Sequence, residues 1–190
     1  MQGDFNFSFI MQADDFISFI KNLTPSYKDF DNSRWPKDEI PLLINEFKIT
    51  KREQSSSIHS NEIVDLLSRY DLTEFRRQDI SFGELENWEN FTFFGYMDIF
   101  RLGIDNDSGT IVSYNYGCEM IDKLCADNSS KFLDALCELF SYSTLALLSS
   151  ENDPAFNEDA VALAASKCAI IAGGPMYENF YRETFGLGMI

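Results

Sequence analysis

The chain reads as an α+β domain, a mainly antiparallel twisted sheet flanked by helices with a C-terminal helical extension. Three observations predict it. Apolar residues before Tyr70 and after Asn128 recur at helical spacing, and the stretch between, from Asp79 to Tyr116, is made of aromatic and β-branched runs broken by turn residues. The 190 residues, 45% hydrophobic with 18 Phe, suffice to bury a core without metal or disulfide staples.

Phe16, Phe19, Ile20 and Leu23 share one helical face, and Thr24-Pro25 ends the pattern, so a first helix is expected over about 12–23. Trp35-Pro36 precedes a second helix, roughly 38–47, with Ile40, Leu43, Ile44 and Phe47 on one face and Pro41 tolerated in the first turn. Lys51 to Ser60 is charged and then Ser-rich, which reads as a linker or mobile loop; a short helix with Ile63, Leu66, Leu67 and Tyr70 follows. Strands are expected at Ile80-Ser81-Phe82, Phe91 to Phe94, Met97 to Ile104 and Thr110 to Tyr116. Asp105-Asn106-Asp107-Ser108-Gly109 tolerates tight-turn dihedrals and predicts an antiparallel hairpin. Asn128 or Ser129 caps a long helix striped by Phe132, Leu133, Leu136, Leu139 and Phe140 toward Leu147. Beyond Pro154, Asn157 caps a helix whose inner face is Val161, Ala164, Ala165, Cys168 and Ile171, stopped by Gly173-Gly174-Pro175. Residues 1–150 are thus read as one α+β domain and 151–190 as a helical extension packed on it.

Thirty-one acidic against 15 basic side chains give a net charge of −16. Such a field repels phosphate backbones and anionic lipid, so neither nucleic acid nor a membrane is an expected partner, and it speeds encounter with a basic protein. The same charge serves solubility, and both readings stay open at this point. The longest apolar run is far short of the ~20 residues of a spanning helix, and Asp4 sits where a signal peptide wants positive charge. Cys118, Cys125, Cys137 and Cys168 show no C-x-x-C spacing, which suits reduced thiols and a cytoplasmic address.

Residues that could carry chemistry are few. His59, the one histidine, lies in the Ser-rich segment. Asp105-x-Asp107-x-Gly109 opens like a calcium loop, but its glycine comes one residue early and the twelfth position holds no carboxylate. Gly173-Gly174 lacks phosphate-loop spacing, and G-x-S-x-G and H-E-x-x-H do not occur. No catalytic residue, metal or cofactor is therefore expected. Carboxylate pairs such as Glu84 with Glu86, or Glu86 with Glu89, arise by chance in so acidic a chain. Trp88 within Glu84-Leu85-Glu86-Asn87-Trp88-Glu89 stands out, because an aromatic ringed by acids suits a cationic partner. A core Trp beside exposed acids is the other reading. With the turn acids Asp105 and Asp107, the residues Glu84, Glu86, Trp88 and Glu89 form the candidate partner-binding surface.

Phe94-Gly95, Ile99 to Ile104, the hairpin Asp105 to Val112, and Asn128-Ser129-Ser130-Lys131-Phe132-Leu133 through Leu136 occur in an order that resembles the SUKH superfamily of bacterial immunity proteins, with its Knr- and Syd-type relatives. The likeness covers about 61–148, with Trp35-Pro36 a weaker echo; the segment before Asn61 and the helices after Pro154 lie outside it. The resemblance implies a cytoplasmic, non-enzymatic α+β protein that binds and neutralises a toxin delivered by neighbouring bacteria. Many such toxins are basic, nuclease-type effectors, and blocking the active site is the implied mechanism. A regulatory or scaffolding adaptor for endogenous proteins is the alternative, and a small-ligand protein would need a concave pocket with convergent polar groups.

Overall fold

The sheet is a meander in which each strand pairs with its sequence neighbour. The computed structural model describes residues 10–53, 59–150, 153 and 156–187. Six strands, β3 (Arg76–Arg77), β4 (Ile80–Trp88), β5 (Phe91–Met97), β6 (Phe100–Asp105), β7 (Ile111–Asn115) and β8 (Met120–Ala126), lie in that order, antiparallel throughout. A separate pair, β1 (Thr50–Lys51) with β2 (Tyr70–Asp71), flanks them. The helices are α1 (Ala13–Leu23), α2 (Ile40–Asn45), α3 (Glu62–Arg69), α4 (Ser129–Leu148), α5 (Glu158–Ala172) and α6 (Glu178–Thr184). The α+β class, the antiparallel sheet and the turn at Asp105 to Gly109 agree with expectation, the turn closed by the Gly109 N–H donating to the Asp105 carbonyl at 2.7 Å.

Several boundaries differ, each for a physical reason. The run Met97 to Ile104 is not one strand, because Asp98 adopts φ +52° and turns the chain with Ile99 between β5 and β6. The β4 strand continues six residues past Phe82 through the acidic stretch, since strands at a half-open sheet tolerate charge on the solvent side. Lys51 belongs to β1 and Tyr70 to β2, so the expected loop is shorter at its start and α3 ends one residue early; residues 54–58 of that loop lie outside the described residues. The strands β1, β2, β3 and β8 lie outside the expected ones.

One face of the sheet carries the core. Ile80, Phe82, Phe94, Met97, Leu102 and Ile104 pack against Phe16 and Ile20 of α1, Ile63 and Leu66 of α3, and Phe132, Leu136 and Phe140 of α4. Phenylalanine does most of this filling: Phe75 lies 5.3 Å from Phe140 and Phe94 lies 5.8 Å from Phe132, ring centre to ring centre. Each such buried ring is worth about 1.5–3 kcal/mol relative to exposure. The long α4 starts where the Asn128 side chain accepts from the Lys131 N–H at 3.0 Å, and its stripe of Phe132, Leu133, Leu136, Leu139 and Phe140 is buried as the spacing requires.

The C-terminal helices join the same core. Asn157 caps α5 by accepting from Ala160 at 2.9 Å, and the small buried residues Ala164, Ala165, Cys168, Ala169 and Ala172 bring α5 close to α4, while Val161 and Ile171 are only half-buried. Gly173 ends α5 at φ +132°, where a Cβ would stand 2.2 Å from the Asp127 carboxylate. Tyr181 of α6 donates to the Cys125 carbonyl at 3.0 Å, tying α6 to β8. Among the described residues no helix is long and apolar enough to cross a membrane.

Candidate functional site

The second face of the sheet, away from these helices, holds an aromatic cluster of its own. Directly paired residues in antiparallel strands share a face. The rows Glu86, Phe93, Gly103, Val112 and Trp88, Phe91, Asp105 therefore lie together, with the row Tyr96, Arg101, Tyr114 beside them. Phe93 and Tyr114 are 0% and 4% exposed although neither belongs to the helical core, because the rings cover one another. The Trp88 ring lies 5.5 Å from Tyr114, 5.4 Å from Tyr116 and 6.1 Å from Phe93, and Phe91 lies 5.2 Å from Tyr114. Gly103 makes room for Phe93: a Cβ there would meet the ring at 2.8 Å. Tyr116 is 54% exposed and Trp88, at the end of β4, is half-buried, so the cluster presents ring surface to solvent.

Two turns at that end are latched together. Asn106 donates its backbone N–H to the Asn90 carbonyl at 2.8 Å, Asn90 donates its amide to Asp107 at 2.9 Å, and Thr92 bridges toward Asn106 at 2.9 Å. Glu89, with φ +50°, thus lies on a β4–β5 turn tied to the β6–β7 turn that follows Asp105 and carries Asp107. Asp105 is itself a turn brace, accepting from the Asp107 N–H at 3.0 Å and the Ser108 hydroxyl at 2.9 Å, and these bonds hold its carboxyl below the usual range. Burial, and then the charges of Glu89 and Glu119, push the Tyr114 phenol up.

Five of the six expected site residues, Glu86, Trp88, Glu89, Asp105 and Asp107, are thus gathered at one end of this face. Glu84 is engaged elsewhere, paired with Arg52 at 2.7 Å beside the small sheet. Trp88 is also not a residue of the main core; it stands on the outer face. Phe91, Phe93, Tyr114 and Tyr116, together with Arg101, also belong to this face and carry no motif in the sequence. The period of two in Phe91/Phe93 is a sequence signal for one side of a strand, while Tyr116 lies in the turn after β7 and reaches Trp88 at 5.4 Å.

The face contains its own example of what it can hold. The Arg101 guanidinium lies 4.2 Å above the centre of Phe93 and is gripped by both oxygens of Glu86, at 3.1 and 2.6 Å. Glu86 is held below the ordinary carboxylate range by that contact. Ring faces for cation–π contact next to carboxylates for ion pairing are the two elements of guanidinium and ammonium recognition. Among the described residues no group of three or more His, Cys, Asp or Glu is placed to hold a metal ion. No protein-family model, no curated protein and no solved structure matches the chain.

Proposed function

We propose that the protein is an immunity protein that binds a basic toxin through the outer aromatic face of the sheet and so neutralises it, acting in the cytoplasm of the cell it protects. The observation that carries the reading is the ring cluster of Trp88, Tyr114 and Tyr116 with Glu86, Glu89, Asp105, Asp107 and Glu119 around it, on a chain of net charge −16. The SUKH-like order of segments supports the toxin as the partner. Acids at the rim steer a cationic partner, while half-buried aromatics supply the anchors that a standard interface of about 800 Å² per partner needs.

The test is co-expression with candidate toxins, starting with the product of the adjacent gene, followed by binding kinetics. A variant reversing Glu89, Asp107 and Glu119 to Lys is expected to slow association about tenfold at low salt and to flatten its salt dependence. Trp88→Ala is expected mainly to speed dissociation. Unchanged rates in both variants would remove this face from the reading. Capture of endogenous proteins and of no toxin would favour the adaptor.

A further inference from the structure

The opposite end of the sheet carries a different chemistry. Between the Trp35 segment, β3, the β3–β4 turn and the last turns of α4 lies a cleft of about 570 Å³. Its size falls in the range of small-ligand sites. Three of the chain's 15 basic residues, Arg34, Arg76 and Arg77, line it.

Arg77 is the informative one. It is 6% exposed, and its guanidinium sits 4.7 Å from the centre of the Phe47 ring. Its hydrogen bonds are long, 3.4 Å to Glu46 and 3.3 Å to the Ser143 hydroxyl, and its buried Nε has no hydrogen-bond partner. Glu46 is 42% exposed at its side chain and compensates poorly: loss of hydration outweighs it and lowers the Arg77 pKa. A buried guanidinium with donors unmet costs several kcal/mol unless an anion completes it. The two arginines beside it are exposed and spare, since neither Arg34 nor Arg76 makes an ion pair among the described residues. Arg34 is steadied at the cleft by the Trp35 ring, 5.2 Å from its guanidinium carbon.

We propose that this cleft is a binding site for a small organic acid with a single carboxylate, received by Arg77 and flanked by Arg34 and Arg76. A planar carboxylate matches the guanidinium fork. The limit to one anionic group follows from the surroundings: Asp79 and Asp98 stand at the cleft's rim, and the whole chain carries −16, so a polyanion would meet repulsion. The site lies at the far end of β4 from Trp88 and stands or falls independently of the toxin reading.

Titration of the 15N-labelled protein with benzoate, acetate and inorganic phosphate tests the site, read at the indole N–H of Trp35 and the Nε–H of Arg77. Benzoate is expected to give saturable shifts at both, with the indole of Trp88, at the far end, unmoved. Arg34→Gln with Arg76→Gln, two exposed substitutions that leave the core alone, should weaken binding about tenfold or more. Arg77→Met should abolish it while keeping an apolar stem in place; if that variant fails to fold, the double variant decides. Shifts still linear at roughly 50 mM, equal affinity in the double variant, or phosphate binding tighter than either carboxylate would each overturn the proposal.

Discussion

Asp127 joins three parts of the chain through one residue. Its N–H donates to Ala172 at the end of α5, at 2.9 Å, and its carboxylate accepts from Lys131 in the first turn of α4 and from the Tyr177 hydroxyl before α6. Lys131, and after it Tyr177, hold the carboxyl below its unfolded value of 3.8, while burial and Asp127 together push the Tyr177 phenol up to about 12. A carboxylate whose pKa is depressed in the folded state stabilises it fully above the unfolded pKa and loses that contribution as pH falls through the folded one. Asp127→Asn is therefore expected to lower stability at pH 7 by about 1 kcal/mol, a modest figure because the site is partly exposed. Urea midpoints of the two proteins should converge as pH drops below 3.8. A gap that persists at low pH would mean that Asp127 acts by shape and not by charge.

At the scale of elements, β5 is shaped by two glycines, Gly95 within it and Gly103 on the neighbouring β6. Gly95 lies at a register shift opposite Phe82, where a Cβ would come within 2.2 Å of the Ser81 carbonyl oxygen; at Gly103 it would meet the Phe93 ring at 2.8 Å. A backbone carbonyl in a paired strand cannot yield, whereas a ring can tilt. Gly95→Ala should cost about 3 kcal/mol or more and Gly103→Ala nearer 1 kcal/mol, the latter also shifting Phe93 and Tyr114 ring resonances. Equal costs from denaturant melts would sink this account. The contrast bears on what the sequence made legible. Caps and apolar stripes gave α1, α4 and α5 to within a few residues, because Asn128 and Asn157 act locally. Asp105 to Gly109 marked its turn for the same reason. The Asp98–Ile99 turn stayed hidden because a non-glycine residue takes the left-handed conformation within an apolar run. The β8 strand stayed hidden because an edge strand exposes Met120 and Ile121 alongside Asp122, and no alternation survives. For the site, the acids were legible and the platform was not: rows of rings form only once β4 to β7 are in register, which no single segment specifies.

At the scale of the molecule, charge is the dominant unresolved tension in the folded state. Lys48, Arg52, Arg69, Arg101, Lys123, Lys131 and Lys167 are each committed to an acid, yet 31 acids face 15 bases. The excess repels itself at pH 7. Raising ionic strength from about 0.01 M to about 0.15 M shortens the screening length from roughly 30 Å to 8 Å, which relieves that repulsion more than it weakens exposed pairs worth at most about 1 kcal/mol each. The melting temperature is expected to rise by several degrees over that range, measured by circular dichroism; a fall would mean that the ion pairs outweigh the net charge. The meander also has a temporal side. Its strands meet across short turns, but the Met11 N–H reaches the Ser130 hydroxyl across 119 residues, and α1 has its seat on α4. On a ribosome adding 5–20 residues per second, Phe16, Ile17 and Ile20 wait on the order of ten seconds for the helix that covers them. In that interval α1 has only α3 and the sheet to pack on, and its α4-facing side is a surface open to a chaperone.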